Sequence, residues 1–556
     1  VYMQTAYYFR YLQDVLGRDE FDRIMHIYYK EYQFKHPYPE DIQAVFERET
    51  GESYAWFFTK LLQADRGPDY KVSHMQKAKT AVAVTVSNKS DIPAAFSISL
   101  MSGDSVLRTD WYRGFTGSQT VFLNIEPGWD VTSVYLDQQK YLPETNRENN
   151  NIKTSGLFKT VEPLQLKFLG SIVDDPTKTT INYMPLVGWN NHDRWMLGLG
   201  VWNTKLPTPL IDFVAAPMYS ITTSSLVGQG SIGLNIYPDN GPFDRIRLSE
   251  SVSRYTYTEF FLPTTLDEVA LYTPKFLRLQ TKLEADLHQK SLRSKLLQTI
   301  SLRSVMVRED DQFFAYDVNG DLLETLDDSY LVFEGAYRLK RSTKLFPQQF
   351  DITAAAGESF GRVDATYQTL VHYPKMTKGI SIRAFAGIFL TDDPFNSKYN
   401  YTLAGANGTY DPLYDEIFLS RNTTEGFVSN QMRKTNGFFK VPVYSYDATS
   451  DTYLAALNLQ FAIPKVPLVE LFADFGYLES ALDGTIGTAP PIDGFQYDAG
   501  VMLTLPYDIF AVYFPLVMST ELENGFAEDA PYSEKISFML TLNRGNVFEL
   551  MRKLGL

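Results

Sequence analysis

Residues 276–288, "FLRLQTKLEADLH", alternate with a strict period of two. Leu277, Leu279, Thr281, Leu283, Ala285 and Leu287 fall on one side; Arg278, Gln280, Lys282, Glu284, Asp286 and His288 fall on the other. Such a segment is a β-strand with one oily and one charged face. Only two environments satisfy both faces. In a soluble sandwich the charges meet water and the oily face needs a second layer. In a membrane barrel the oily face meets lipid and the charges line a wet interior.

The rest of the chain decides between them. From about residue 178 the same alternation recurs, in "SYLVFEGAYRLK", "VDATYQTLVHY", "KISFMLTLN" and similar runs, for about 16 strands. A soluble fold with so many half-oily strands would need helices to cover them, and no helical stretch remains after residue 178 to do so. A closed barrel needs no cover and has no open edge. The sequence therefore predicts a 16-stranded antiparallel transmembrane β-barrel over 178–543. Short Pro-rich turns, "IPKVP" and "LPYD", alternate with long polar loops at 392–450 and 479–494, as periplasmic turns alternate with outside loops. An even strand count returns both ends of the barrel to the periplasm.

Composition agrees by exclusion. No apolar run of 18 residues exists, which rules out a membrane-spanning helix but not a spanning strand. A net charge of -15 argues against a nucleic-acid partner. With no Cys in the chain there is neither a disulfide nor a thiolate metal site. Tyr and Phe, 36 and 38 in number, suit the aromatic girdles of a barrel.

Upstream of the barrel the period changes twice. In 1–65, Phe21, Ile24, Met25, Tyr28 and Tyr32 recur at three and four, and Pro39 opens a second helix that ends before Gly51. In 66–153, "TAVAVTVSN" and "FSISLMSG" alternate between turn signals, which predicts a small β-sandwich. The polar run "PETNRENNN" closes it, 154–177 reads as a linker, and 544–556 as a short periplasmic helix. The fold class is thus mainly β: an α-helical fragment, a β-sandwich, then the barrel. No secretory signal opens the chain, and "VYMQTAYYFRYLQDVLG" reads as a helix already under way, as in the C-terminal part of a longer protein.

Catalytic motifs are absent. None of the six His lies four residues from another, and no G-x-S-x-G elbow or phosphate-binding glycine loop occurs. Glu284, Asp286, Glu334, Asp364, Glu470 and Asp474 read as charges on a barrel wall. The loop 392–450 carries Tyr401, Tyr410, Tyr414, Phe418, Phe427, Phe438 and Phe439, too many aromatics for a freely solvated loop. Part of it is expected to fill the barrel, with Arg421 paired to a wall carboxylate such as Glu334, Asp364 or Glu470.

Two resemblances add to this reading. The stretch from "VYMQTAYYFRYLQDVLGRDEF" to "ETGESYAWFFTKLL" resembles the end of the catalytic domain of gluzincin aminopeptidases, the membrane-alanyl-aminopeptidase family. "VSNKSDIPAAFSISL", "DWYRGF" and "LDQQKYLPETNRENNN" resemble the immunoglobulin-like domain that comes next in that family. The resemblance implies a zinc-binding H-E-x-x-H and a distal Glu upstream of residue 1, so no cofactor in this chain itself. It carries one catalytic position over: Tyr2, whose hydroxyl would steady the oxyanion. "LKFLGSIVDDPTKTTINYMPLVGWNNHDRWMLGLGVWN", "AAPMYS" and "NIYPDNGPFDRI" resemble barrels fused to such regions in outer-membrane proteins of the Bacteroidota. Those are similar to barrels of the outer-membrane assembly factor and bacterial surface antigen superfamily, whose long loop carries an Arg-Gly-Phe motif; loop 392–450 lacks it. The function implied is a metallopeptidase-like periplasmic domain anchored in the outer membrane. The alternative is a non-enzymatic assembly, translocation or scaffolding component with a degenerate peptidase-like domain. The lipid bilayer, and other outer-membrane or periplasmic proteins, are the expected partners.

Overall fold

A computed structural model describes residues 2–64, 67–156, 159, 164–170, 178–203, 208–238, 240–263, 269–289, 291, 294–316, 322–343, 346–376, 378–391, 397–443, 448–481, 492–505 and 510–540. The expected C-terminal helix at 544–556 lies outside them. The chain divides into two units, one ending near Leu166 and the other holding most of the residues from Ile181 onward.

The first unit starts with helices Tyr2–Leu16, Arg18–Tyr32 and Pro39–Thr50, then a π-helical segment, Trp56–Leu61. Gly17, at φ 82°, turns the chain between the first two helices. Pro39 occupies the first turn of the third, Asp41 Oδ2 accepts the Tyr38 amide at 2.7 Å, and Gly51 closes it in the left-handed region at φ 71°. Two sheets come next. Tyr70–Lys77, Ala81–Asn88 and Gly117–Asn124 form one, and Phe96–Ser102, Ser105–Tyr112, Ser133–Leu136 and Asn151–Lys153 the other. Val82, Val84 and Val86 are buried at alternate positions, as the period in "TAVAVTVSN" predicts. Helices and sheets share one core, in which Tyr11, Phe46 and Phe57 join Val84, Phe96 and Ile98.

A buried acid marks this unit. Glu144 Oε1 accepts the Tyr70 amide at 2.7 Å, and Oε2 accepts from the Asn150 side-chain amide. Burial pushes its pKa from the usual 4.5 to about 8. Asn150 Oδ1 is buried there without a hydrogen-bond partner. A rotated Asn150 amide would turn that oxygen toward the O–H of a protonated Glu144. The folded state binds the proton more tightly than the unfolded chain does. This contribution is therefore full below pH 4.5 and lost as pH rises through about 8. Chemical denaturation of the 1–166 fragment between pH 5 and 9, if that fragment folds alone, should show stability falling with pH. Glu144→Gln should flatten that slope; an unchanged slope would contradict the assignment.

The second unit is one large antiparallel sheet. Its long strands are β1 (Thr179–Asn190), β2 (Arg194–Trp202), β3 (Ile211–Ser220), β4 (Ser225–Ile236), β5 (Phe243–Thr256) and β6 (Lys275–Leu287). They continue as β7 (Leu296–Tyr316), β8 (Leu322–Arg341), β9 (Gln348–Ala356), β10 (Gly361–His372) and β11 (Gly379–Phe389). The last are β12 (Tyr453–Ala462), β13 (Val469–Leu478), β14 (Gly494–Thr504), β15 (Phe510–Met518) and β16 (Ser537–Leu540). Sequence neighbours pair antiparallel throughout, Arg303 standing opposite Glu334 and Asp474 opposite Asp498. Two further short strands join the same sheet, so that it has eighteen strands among the described residues rather than the sixteen expected: Gln431–Met432, and Leu164–Phe168 inside the stretch expected to be a linker. The sequence "LQLKF" explains the latter, since Leu164, Leu166 and Phe168 share one exposed face.

Burial across this sheet is inverted relative to a soluble protein. Leu279 and Leu283 are each 42% exposed and Phe333 is 59% exposed, while Arg278 is 5%, Asp474 0% and Asp498 1% exposed. The same holds along β7, where Leu302 and Met306 face out and Val305, Val307 and Glu309 face in. The oily face of "FLRLQTKLEADLH" is the outer one.

Candidate functional site: the filled interior of the large sheet

The interior is occupied by the segment between β11 and β12, over residues 397–443 and 448–450. It touches strands far apart in the sheet order, so it crosses from wall to wall rather than lying along one edge. Against β6 to β8, the carboxylate of Asp415 receives Arg278 at 2.6 Å and Arg303 at 2.7 and 2.9 Å. Arg278 Nε donates to the Leu413 carbonyl at 2.6 Å, and the Tyr414 ring stacks on Phe276 at 3.9 Å between centroids. Lys398 Nζ bridges Glu309 and Asp328 at 3.0 and 2.8 Å.

On the other wall the segment's contact is again through a lysine. Lys440, wholly buried, donates from Nζ to both oxygens of Asp474 at 3.0 and 2.9 Å. Its backbone amide donates to Asp498 at 3.0 Å, and the Phe438 ring lies 3.8 Å from the ammonium. Asn458 Nδ2 adds a bond to Asp474 at 2.9 Å. Close by, Gln431 and Met432 run parallel to β16, and Asn430 Nδ2 donates to the carbonyls of Glu534 and Ile536 at 3.0 and 2.7 Å. The segment thus offers Asp415 to the arginines and Lys398 to the carboxylates of one wall, and Lys440 to the carboxylates of the other. In a low-dielectric interior, charge-assisted bonds of this length fix both position and register.

A hub holds the segment's own shape. Asp411 accepts the amides of Asp415 and Glu416 at 3.0 and 3.1 Å, and Arg421 Nη2 at 2.7 Å. Arg421 also donates to the carbonyls of Gly408, Asp411 and Glu416, and lies over the rings of Tyr414 and Phe418 at 4.4 and 4.9 Å. Gly408 sits at φ 80°, where a Cβ would come within 2.9 Å of Phe418 and 3.1 Å of Arg421. His192, in the turn between β1 and β2, donates from Nε2 to the Arg421 carbonyl at 2.7 Å and so ties the hub to the wall. That bond places a proton on Nε2, and burial lowers the His192 pKa, which favours the neutral ring.

Of the site residues expected from sequence, Arg421, Glu334, Asp364 and Glu470 belong to the second unit and Tyr2 to the first. Arg421 is buried in the segment, and its ion pair is with Asp411 rather than with Glu334, Asp364 or Glu470. Glu334 is engaged by Arg303, its cross-strand neighbour, at 2.8 and 2.7 Å. Asp364 lies on β10 opposite Thr353 and Gly387, and Glu470 on β13 opposite Ala462 and Met502. Tyr2 is the first residue of the first helix, and its side chain is outside the description. Asp411, Asp415, Lys398 and Lys440 belong to no motif that sequence reasoning singles out. The signal that could find Asp411, Asp415 and Lys440 is a charge held amid aromatics, in "YDPLYDE" and "GFFKVP". Among the described residues no group of three His, Asp or Glu is arranged to hold a metal ion.

No family model matches the chain, and no curated protein matches it. Solved structures similar to it include BamA from Haemophilus ducreyi lacking POTRA domains 1–3, at 12% identity and a TM-score of 0.34 over 62% of this chain and 70% of that one. CdiB from Escherichia coli is similar at 12% identity and a TM-score of 0.34, over 63% of each chain.

Proposed function

We propose that this chain is an outer-membrane β-barrel protein with a plugged lumen, acting in assembly, translocation or scaffolding of other envelope proteins. The observation that carries the membrane reading is the inverted sheet, with an oily band outside and paired charges within. In this reading the sheet closes into a barrel through Leu164–Phe168, which lies between β16 and β1, and the first unit lies in the periplasm. The filled interior argues against a general porin. The plug's seat is polar and non-covalent, so a binding partner could displace it. Depletion in cells should change the outer-membrane protein profile, and Tyr2→Phe should not. An unchanged profile on depletion would remove the assembly role.

A second reading keeps the peptidase. It is supported by the helices and sandwich sharing one core, as expected if the sandwich succeeds a gluzincin catalytic domain in the chain. Zinc, held upstream, would polarise the scissile carbonyl and activate water, while Tyr2 steadies the oxyanion. Here Tyr2→Phe in the parent protein should cut kcat by about 10²-fold with little change in KM. A parent lacking H-E-x-x-H and a distal Glu would end this reading.

A further inference from the structure

The outer face of the sheet is not evenly covered. Where β7 to β11 pass side by side, Gly335, Ala354 and Gly361 leave a depression of about 580 Å³, flanked by Leu302, Phe333 and Leu390. The register explains it. Leu302 stands opposite Gly335, Gly335 opposite Ala354, and Ala354 opposite Val363, so small outward residues fall side by side on adjacent strands. The flanking side chains project: Leu302 is 57%, Phe333 59% and Leu390 67% exposed. The inward neighbours Arg303 and Glu334 are tied to each other, and Arg303 to the plug, so the floor beneath the depression is fixed.

We propose that this depression is a binding site for one acyl chain of a membrane lipid. The inference rests on the membrane-barrel reading, because only there does the outer face meet hydrocarbon. A concavity in that band cannot be left as vacuum, since its lining would forfeit dispersion contacts. It also cannot be filled with water, which would find too few polar partners. A second copy of the barrel is a poorer occupant. A two-fold contact would have to seat the projecting Phe333 and Leu390 of both copies in the two hollows at once, a fit that an acyl chain does not need, and cross-linking tells the two apart. A flexible acyl chain can lie along the trough between projecting Leu and Phe side chains and fill it.

The test uses the whole chain in phosphatidylglycerol vesicles carrying a trace of chain-spin-labelled phosphatidylglycerol. Flotation of the vesicles first reports whether the protein inserts; failure there would overturn the membrane reading, and this inference with it. In inserted wild type, the electron spin resonance spectrum should show a slowly exchanging lipid beyond the ordinary boundary layer. Ala354→Phe fills the trough and should remove that component. Gly335→Leu is the milder variant, because a Cβ there meets only Leu302 Cδ2, at 3.4 Å, and it should remove the same component. Leu471→Phe, on the exposed face of β13, should leave it in place. Overturning results are wild type without the slow component, both trough variants retaining it, or cross-links through position 354 that join two copies of the chain.

Discussion

Removing residues 405–440 should convert a nearly silent protein into one with a large, steady single-channel conductance in planar bilayers. The expectation stems from where this stretch makes its bonds. It contributes Asp415 to Arg278 and Arg303 on one wall, and Lys440 to Asp474 on the other. Between them, Phe438, Phe439 and Tyr410 are buried where an open pore would hold water. The wall left behind would be charged and readily wetted, with Arg278, Arg303, Glu334, Asp474 and Asp498 newly exposed. The deleted stretch includes the two-residue strand Gln431–Met432, but β11 still pairs with β12 and β15 with β16 through backbone bonds of their own, so the sheet should still assemble. Intact protein with a wide, steady pore would refute the plug. So would a deletion variant that inserts normally but stays silent.

The parts legible in the sequence are those set by local period. Leu279 and Leu283 alternate with Arg278 and Lys282, and a period of two assigns faces without any knowledge of neighbours. The same logic separates helices from sandwich strands upstream of residue 153. Partners across the interior are not legible, because no period links them. Asp415 and Arg278 are separated by 137 residues, and Lys440 and Asp474 by 34. The pairing expected for Arg421 fails for a related reason. Glu334 already faces Arg303 in the strand register, so a wall carboxylate that looks free in one dimension is taken in three. Arg421 instead finds Asp411 ten residues away, close enough for the segment to fold on itself before it seats. The strand at Leu164–Phe168 shows its alternation in the sequence, but the polar run before it suggests that order has ended, and a linker is the natural reading.

The two wall contacts should differ in strength, and Lys440 should be the dominant one. Lys440→Met removes the ammonium but keeps the length of the side chain. It leaves Asp474, fully buried beside its cross-strand neighbour Asp498, without the ion-pair partner it contacts, while the nearby Arg383 stays bonded to Asn458. Breaking a buried pair from one side costs roughly 3–5 kcal/mol, most of it the penalty of the charge left behind. Asp415→Asn should cost less, about 1–2 kcal/mol, because Arg303 keeps its paired bonds to Glu334 at 2.8 and 2.7 Å, and the buried Arg278 keeps its bonds to the Leu413 carbonyl and Gln280 Oε1 at 2.6 and 2.8 Å. Hydrogen exchange over residues 435–443 and 410–420 should resolve the order: protection falls most in Lys440→Met, and by a smaller factor in Asp415→Asn. Adding Asp474→Asn to Lys440→Met removes the stranded carboxylate and should restore part of the lost protection, whereas Asp474→Asn alone should weaken the seat. If Asp415→Asn proves the more damaging change, or the double variant is worse than Lys440→Met, the seat is not governed by the buried charge pair, and the aromatic packing around Phe438 and Phe439 holds the plug instead.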